Sequence, residues 1–278
     1  MATTTSSSSY GSIICFILTT LIYYLCLKPK KTWDGDMSES ITNLVIFFLL
    51  VLISQFIVNA SVIANNCGGS ISENIGSAFM FTFFPWTMLF GVMMIILLAY
   101  PGFKSAFSDV IGYFYVASSA NKVLTELLIN KDVKDTLPSD ITDEDKTKMM
   151  NAADTIIKIC GNTSILINQM VPLNFNEYWE VLKPLMKPQF QEESSEESMK
   201  MKNDLFELVV TRDNVGEAMW FIYTGFLITS FIQLKINTKG CYVSPEQMAK
   251  NYQDYLDNEE KAQANTELTT SQEYVITN

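Results

Sequence analysis

The chain has 278 residues, 48% of them apolar, and carries 30 acidic against 19 basic side chains, a net charge of −11, with no histidine. Without histidine the commonest general base, the Ser-His and Cys-His nucleophile pairs and most zinc sites are gone, and the acidic excess disfavours nucleic acid partners. Every charge falls outside four apolar runs, which marks a membrane protein and leaves no ionisable group where proton relays or voltage sensors sit.

Residues 1–40 open with the uncharged head MATTTSSSSYGS, then the apolar run IICFILTTLIYYLCL and the basic link KPKKTWDGDMSES. The charges follow the run instead of preceding it, so it reads as an uncleaved anchor and not as a signal peptide. From Ser12 to Leu27 it is short for a crossing, with Tyr10 suited to one interface and Tyr23 and Tyr24 to the other. Lys28, Lys30, Lys31 and Trp33 are expected as membrane-interface anchors on the cytoplasm-like side.

Residues 41–101 form a transmembrane helical hairpin. Ile41 to Asn65 and Gly76 to Tyr100 are uncharged and each exceeds the roughly 20 residues that span a hydrocarbon core, with Cys67-Gly68-Gly69-Ser70 in the polar turn. Asn59-Ala60-Ser61 matches a glycosylation triplet but lies inside an apolar run, out of reach of a transferase. Pro85 predicts a kink, and Pro101-Gly102 ends the helix.

Residues 102–215 read as a helical extramembrane insertion. Phe103, Phe107, Val110, Ile111, Phe114, Ala117 and Ala120 or Asn121, then Leu124, Leu127 and Leu128, recur at helical steps as one apolar face. Two placements are open for it: the membrane interface, or a packed face of the extramembrane domain. Asp140, Asp143, Glu144 and Asp145 lack the spacing and glycine of a calcium loop; Thr142 as the N-cap of a helix with Ala152, Ile156 and Cys160 on its apolar face explains them better. Asn162-Thr163-Ser164 is a second glycosylation triplet, expected to be unmodified. NFNEYWEVLKPLMKP reads as a short helix halted by Pro184 and Pro188, and QFQEESSEES as a solvated acidic loop.

A helical pattern from Asn203 leads to the fourth transmembrane helix, residues 216–236, with Trp220 and Tyr223 as interface anchors and Lys235 at the far end. Residues 237–278 are an acidic tail. Within it SPEQMAKNYQDYLDNEEKAQ forms a helix capped by Ser244, and the last dozen residues read as extended. Four crossings place the head, the Cys67 turn and the tail on one side, so that Cys67 and Cys241 are able to pair there. The fold class is thus all-α, a transmembrane hairpin with one or two further crossings and a helical extramembrane insertion.

There is no G-x-S-x-G, no phosphate-binding glycine loop and no zinc spacing, so no catalytic, cofactor-binding or metal residue is assigned and no enzyme is expected. Pro101, Gly102, Phe103, Lys104, Phe107, Ser108, Asp109, Gly112 and Tyr113, directly after the hairpin, carry a P-G-[FW]-K-x-x-F-S-[ND]-x-x-G-Y pattern. This run resembles a segment of membrane proteins of nucleocytoplasmic large DNA viruses, of phycodnavirus or mimivirus type. The resemblance implies a minor capsid component in the virion inner membrane, beneath an icosahedral shell, whose partners are the lipid bilayer, the major coat protein and other minor capsid proteins. No nucleic acid, small-molecule substrate or cofactor is expected. The alternative is a small ion channel or transport-related protein, with Asn43, Gln55, Asn59, Thr82 and Gln233 lining a polar path. Such residues more often bond helix to helix. A membrane-integral enzyme ranks third.

Overall fold

A computed structural model of the chain describes residues 5–35, 40–67, 74–128, 163–192, 195–238 and 245–271, together with positions 72, 142, 144, 147 and 148. Among these no strand forms, apart from an isolated bridge between Leu128 and Met186. The first span is α1 (Thr5–Ile22), continued by a π-helical turn over Tyr23–Leu27, and the second is α2 (Ile41–Cys67). The third joins α3 (Ile75–Pro85) to α4 (Val92–Ala99) through a π-helical stretch, Trp86–Gly91. That stretch begins directly after Pro85. The widened turns absorb a ring that lacks an N–H and crowds the turn before it.

A 3₁₀ turn over Pro101–Lys104 leads into α5 (Ser105–Phe107), a π-helical turn over Ser108–Gly112 and α6 (Tyr113–Leu127). After α7 (Phe175–Leu182) and α8 (Pro188–Gln191) comes α9 (Glu196–Thr238), 43 residues and about 65 Å without a break. The pattern read from Asn203 and the fourth crossing are therefore one helix. α10 (Pro245–Ser271) closes the described chain and extends a turn or two beyond the helix expected in the tail. Among the described residues four helices are long and apolar enough to cross a membrane, so the protein is all-α and multi-pass.

Side-chain bonds set consecutive spans antiparallel and the second and fourth parallel. Asn43 donates to the Leu27 carbonyl at 2.8 Å near one end of the bundle, and Gln55 donates to the Ser12 carbonyl at 3.0 Å deeper in. Asn66 at the end of α2 bonds Asn237 at the end of α9, 3.4 Å apart, while Lys28 and Lys104 meet Glu217 at the opposite end. Aromatic rings fill the axis between: Tyr23 stacks on Phe47 at 4.4 Å, Phe16 lies 5.1 Å from Trp86, and Phe90 lies 5.5 Å from Phe221. Gly225 makes room for Phe16, whose ring would stand 2.2 Å from any Cβ placed there. The outer faces, with Val45, Leu49, Ile95 and Phe226, stay exposed as lipid-facing helices must.

A second core lies beyond one end of the bundle. Val116, Leu124, Phe175, Trp179, Leu205 and Phe206 are buried together, from α6, α7 and the first half of α9. The second half of α9 sends Phe221, Ile228 and Ile232 into the membrane core. One rod thus belongs to two cores.

One expectation divides here and one is corrected. Of the apolar face expected over 103–128, Phe103, Val110, Ile111 and Phe114 in the first half are exposed, where Lys104, Ser108 and Gly112 are buried instead, whereas Ala120, Leu124, Leu127 and Leu128 in the second half are buried in the module. Close approach to α9 selects small residues for the first half, so hydrophobicity does not mark the buried face there. The acidic run expected as a solvated loop is mostly helix ends: Phe190 is buried, Ser198 donates to its carbonyl at 2.9 Å, and Glu196 and Glu197 open α9, where the helix dipole favours acids. The helix expected from Thr142 lies mainly outside the described residues, although Glu144 and Lys148 form an i,i+4 ion pair at 2.9 Å. Cys241, Cys160 and Asn162 also lie outside them. Cys67 is disulfide-bonded, whereas Cys15 and Cys26 are free.

Candidate functional site at the junction of bundle and module

The residues that join the membrane bundle to the extramembrane module come from three places: the end of the first span, the 101–113 segment, and residues 212–223 of α9. Lys104, Ser108 and Gly112 recur every four residues and so share one face. Opposite them Arg212, Asp213, Gly216, Glu217 and Trp220 share one face of α9. Glycine lets the two faces touch. A Cβ at Gly112 would stand 2.5 Å from the Arg212 carbonyl oxygen, and one at Gly216 would stand 2.6 Å from the Ser108 Cβ.

At this contact charges are buried in compensating pairs. The Lys104 ammonium lies 2.6 Å from Glu217 Oε2 and 3.1 Å from Asp213 Oδ2. Lys28, from the end of the first span, donates to Glu217 Oε1, and Tyr24 Oη donates to the same oxygen at 3.0 Å. Glu217 therefore ties the first span, the exit of the third and the entry of the fourth to one carboxylate. Charges withdrawn from water at this depth persist only when paired and hydrogen-bonded, so the cluster specifies how the three segments meet.

One turn further into the module, Arg212 is fully buried. Its guanidinium donates to Asn168 Oδ1 at 3.0 Å and to the Met170 carbonyl at 2.8 Å, and lies 3.4 Å from Asp109. Burial pulls it below its ordinary pKa, while Asp109 and Asp213 act in the opposite sense. Arg212 thereby pins the 163–169 segment to α9. Tyr113 adds a hydroxyl contact to Ser164 at 2.8 Å. On the membrane side Phe103 stacks on Trp220 at 4.9 Å, Trp220 Nε1 donates to the Phe103 carbonyl at 3.1 Å, and Phe107 meets Trp220 edge-on at 4.8 Å.

The structure thus gathers Phe103, Lys104, Phe107, Ser108, Asp109, Gly112 and Tyr113 against α9 or the module segment it holds, whereas Pro101 and Gly102 are exposed, with nothing within 4 Å of a Cβ at Gly102. The six residues assigned to the interface divide. Trp220 and Tyr223 sit at this junction, Tyr223 half exposed. Lys30 is exposed and Lys31 half-buried. Lys28 instead turns inward to Glu217. Trp33 is taken up by the module: its Nε1 donates to Asn203 Oδ1 at 2.6 Å and Lys202 lies 4.2 Å over its ring, about 20 Å along α9 from Glu217.

Residues considered for a polar path bond helix to helix. Asn59 donates to Thr82 Oγ1 at 2.9 Å and accepts from Gln233 at 3.2 Å, and Gln55 pairs with Ser12. Asn59 is fully buried among them, which also removes it as a glycan acceptor. Asp213, Glu217 and Arg212 are the junction residues that composition did not mark. Their signal was positional, since Lys28, Lys104 and Glu217 each adjoin or nearly adjoin an apolar run and have opposite signs. Set against family models, curated proteins and solved structures, the chain matches none.

Proposed function

We propose that this chain is a structural, non-enzymatic membrane protein of a large DNA virus, a minor capsid component that ties the virion inner membrane to the icosahedral shell during assembly. The observation that carries the reading is α9, one helix shared by the membrane bundle and the extramembrane module and locked to the 101–113 segment by buried ion pairs. Force on the module passes into the bundle along α9 itself. The exposed Val110, Ile111, Phe114 and Tyr115 offer an aromatic-rich face outside this clamp for a capsid protein, and the acidic α10 offers a second contact on the other side. A pore is less well supported, because rings occupy the bundle axis and Asn59, Thr82 and Gln233 bond one another across it.

The test is to strip purified particles with mild detergent and quantify this chain in the lipid-free shell. Retention in fixed ratio to the major coat protein is expected. Loss with the lipid, or absence from particles, overturns the proposal, and conductance in reconstituted bilayers would then favour the channel.

A further inference from the structure

A cavity of about 490 Å³ opens beside the junction, where the third span ends and the second begins. That volume lies within the range of small-molecule sites. Its lining is mostly aliphatic, with Leu97 and Leu98 from the last turn of α4, Ile41 from the first turn of α2, and Val171 and Leu173 from the module. The charges that reach it are compensated. Lys104 is held between Asp213 and Glu217, Lys28 shares Glu217, and Lys31 has a partner of its own. One acceptor is left over. Asp213 lines the cavity, is only 6% exposed and bonds Lys104 through Oδ2, while among the described residues its Oδ1 takes part in no hydrogen bond. A polar atom so withdrawn from water calls for a donor. From the cavity Ile41, Val45 and Leu49 recur every four residues along α2, all exposed, so the apolar wall runs on into the lipid-facing surface of the bundle.

We infer that the cavity holds one neutral lipid of sterol type, its hydroxyl donating to Asp213 and its apolar body lying along Ile41, Val45 and Leu49. The occupant comes from the bilayer because the cavity continues the surface that the bilayer already covers. A water-soluble ligand would leave the aliphatic lining unmatched. An anionic head would find no unpaired cation and would stand beside a carboxylate. A cationic or zwitterionic head would bring charge to a cluster in which Lys28 and Lys104 already balance Asp213 and Glu217. A hydroxyl supplies the missing donor and adds no charge. The single ridge on α2 suits a lipid with one rigid body, whereas a diacylglycerol would need a second track for its second chain. Seated there, the sterol touches α2, α4 and the module at once and braces the junction from the lipid side. This inference stands apart from the capsid role, because it needs only the membrane.

The test uses the full chain purified in detergent, titrated with cholesterol and examined by native mass spectrometry. Parallel titrations use cholestenone, which keeps the ring system but replaces the hydroxyl by a ketone without a donor, and dioleoylglycerol, which keeps a hydroxyl on a two-chain body. Saturable retention of one cholesterol is expected, with cholestenone and dioleoylglycerol each held roughly tenfold more weakly. Gly102 lines the cavity and a Cβ there meets nothing within 4 Å, so Gly102→Leu takes up the space without displacing the core. Leu173 is 61% exposed, so Leu173→Trp does the same from the module and remains informative if the glycine variant misfolds. Either change should abolish cholesterol retention, whereas Val181→Trp, at an exposed position of α7 outside the cavity, should leave it unchanged. No saturable cholesterol, equal retention of cholestenone or of dioleoylglycerol, or cholesterol retained by either folded cavity variant overturns the assignment.

Discussion

At the scale of residues, Glu217 decides more than any other side chain at the junction. It is 3% exposed and shared by Lys28 and Lys104. Glu217→Gln would leave Lys28 facing a neutral amide, and breaking one partner of a buried pair costs about 3–5 kcal/mol. A lower melting temperature in detergent is the expected outcome. Lys28→Met combined with Glu217→Gln should cost less than the two single changes together, since the stranded charge is gone, and a double-mutant cycle measures the difference. Additive costs would show that the pair is not coupled. Gly112→Ala belongs to the same scale. The added methyl lands on the Arg212 backbone carbonyl, so the gain in helix propensity is outweighed by overpacking, about 1–3 kcal/mol of destabilisation.

At the scale of elements, the 101–127 segment presents two unlike faces. Its inner face is chosen for close approach and ion pairing, and its outer face carries Val110, Ile111, Phe114 and Tyr115. Because Phe114 is 75% and Tyr115 is 73% exposed, changing both to glutamate should shift the melting temperature little. If this face docks a capsid protein, the same double variant should insert normally yet lower the yield of closed particles. Unchanged particle yield would remove the face from the docking account. The apolar periodicity was legible in the sequence and coincides with burial from Ala120 onward, but in the first half of the segment it marks the exposed face. Periodicity reports where apolar side chains cluster, whereas burial here followed glycine, serine and a paired lysine.

At the scale of the whole molecule, a four-span bundle and a helical module share α9, and α10 stands apart from both. Among its described side chains from Met248 to Gln263 every one is exposed, including Met248, Tyr252, Tyr255 and Leu256 on one helical face. Deleting residues 245–278, which spares the end of α9 and Cys241, is therefore expected to leave membrane insertion and the melting temperature of the bundle intact. Under the capsid proposal it should reduce the yield of closed particles. A lowered melting temperature would show that the tail supports the fold.

By itself the sequence determined that the chain is all-helical and multi-pass, with the second and third apolar helices close to their observed bounds, and that its charges fall outside the apolar runs. Those features are local: about 20 uncharged residues in a row suffice to specify a span, whatever the neighbours do. Only the tertiary structure decided that the module's last helix and the fourth span are one rod, that Lys28 points inward, and that Asn59, Thr82 and Gln233 bond one another. These are pairings between residues far apart in the chain. A lysine beside an apolar run reads the same whether it meets a headgroup or a buried carboxylate, and the packing of the helices settles which.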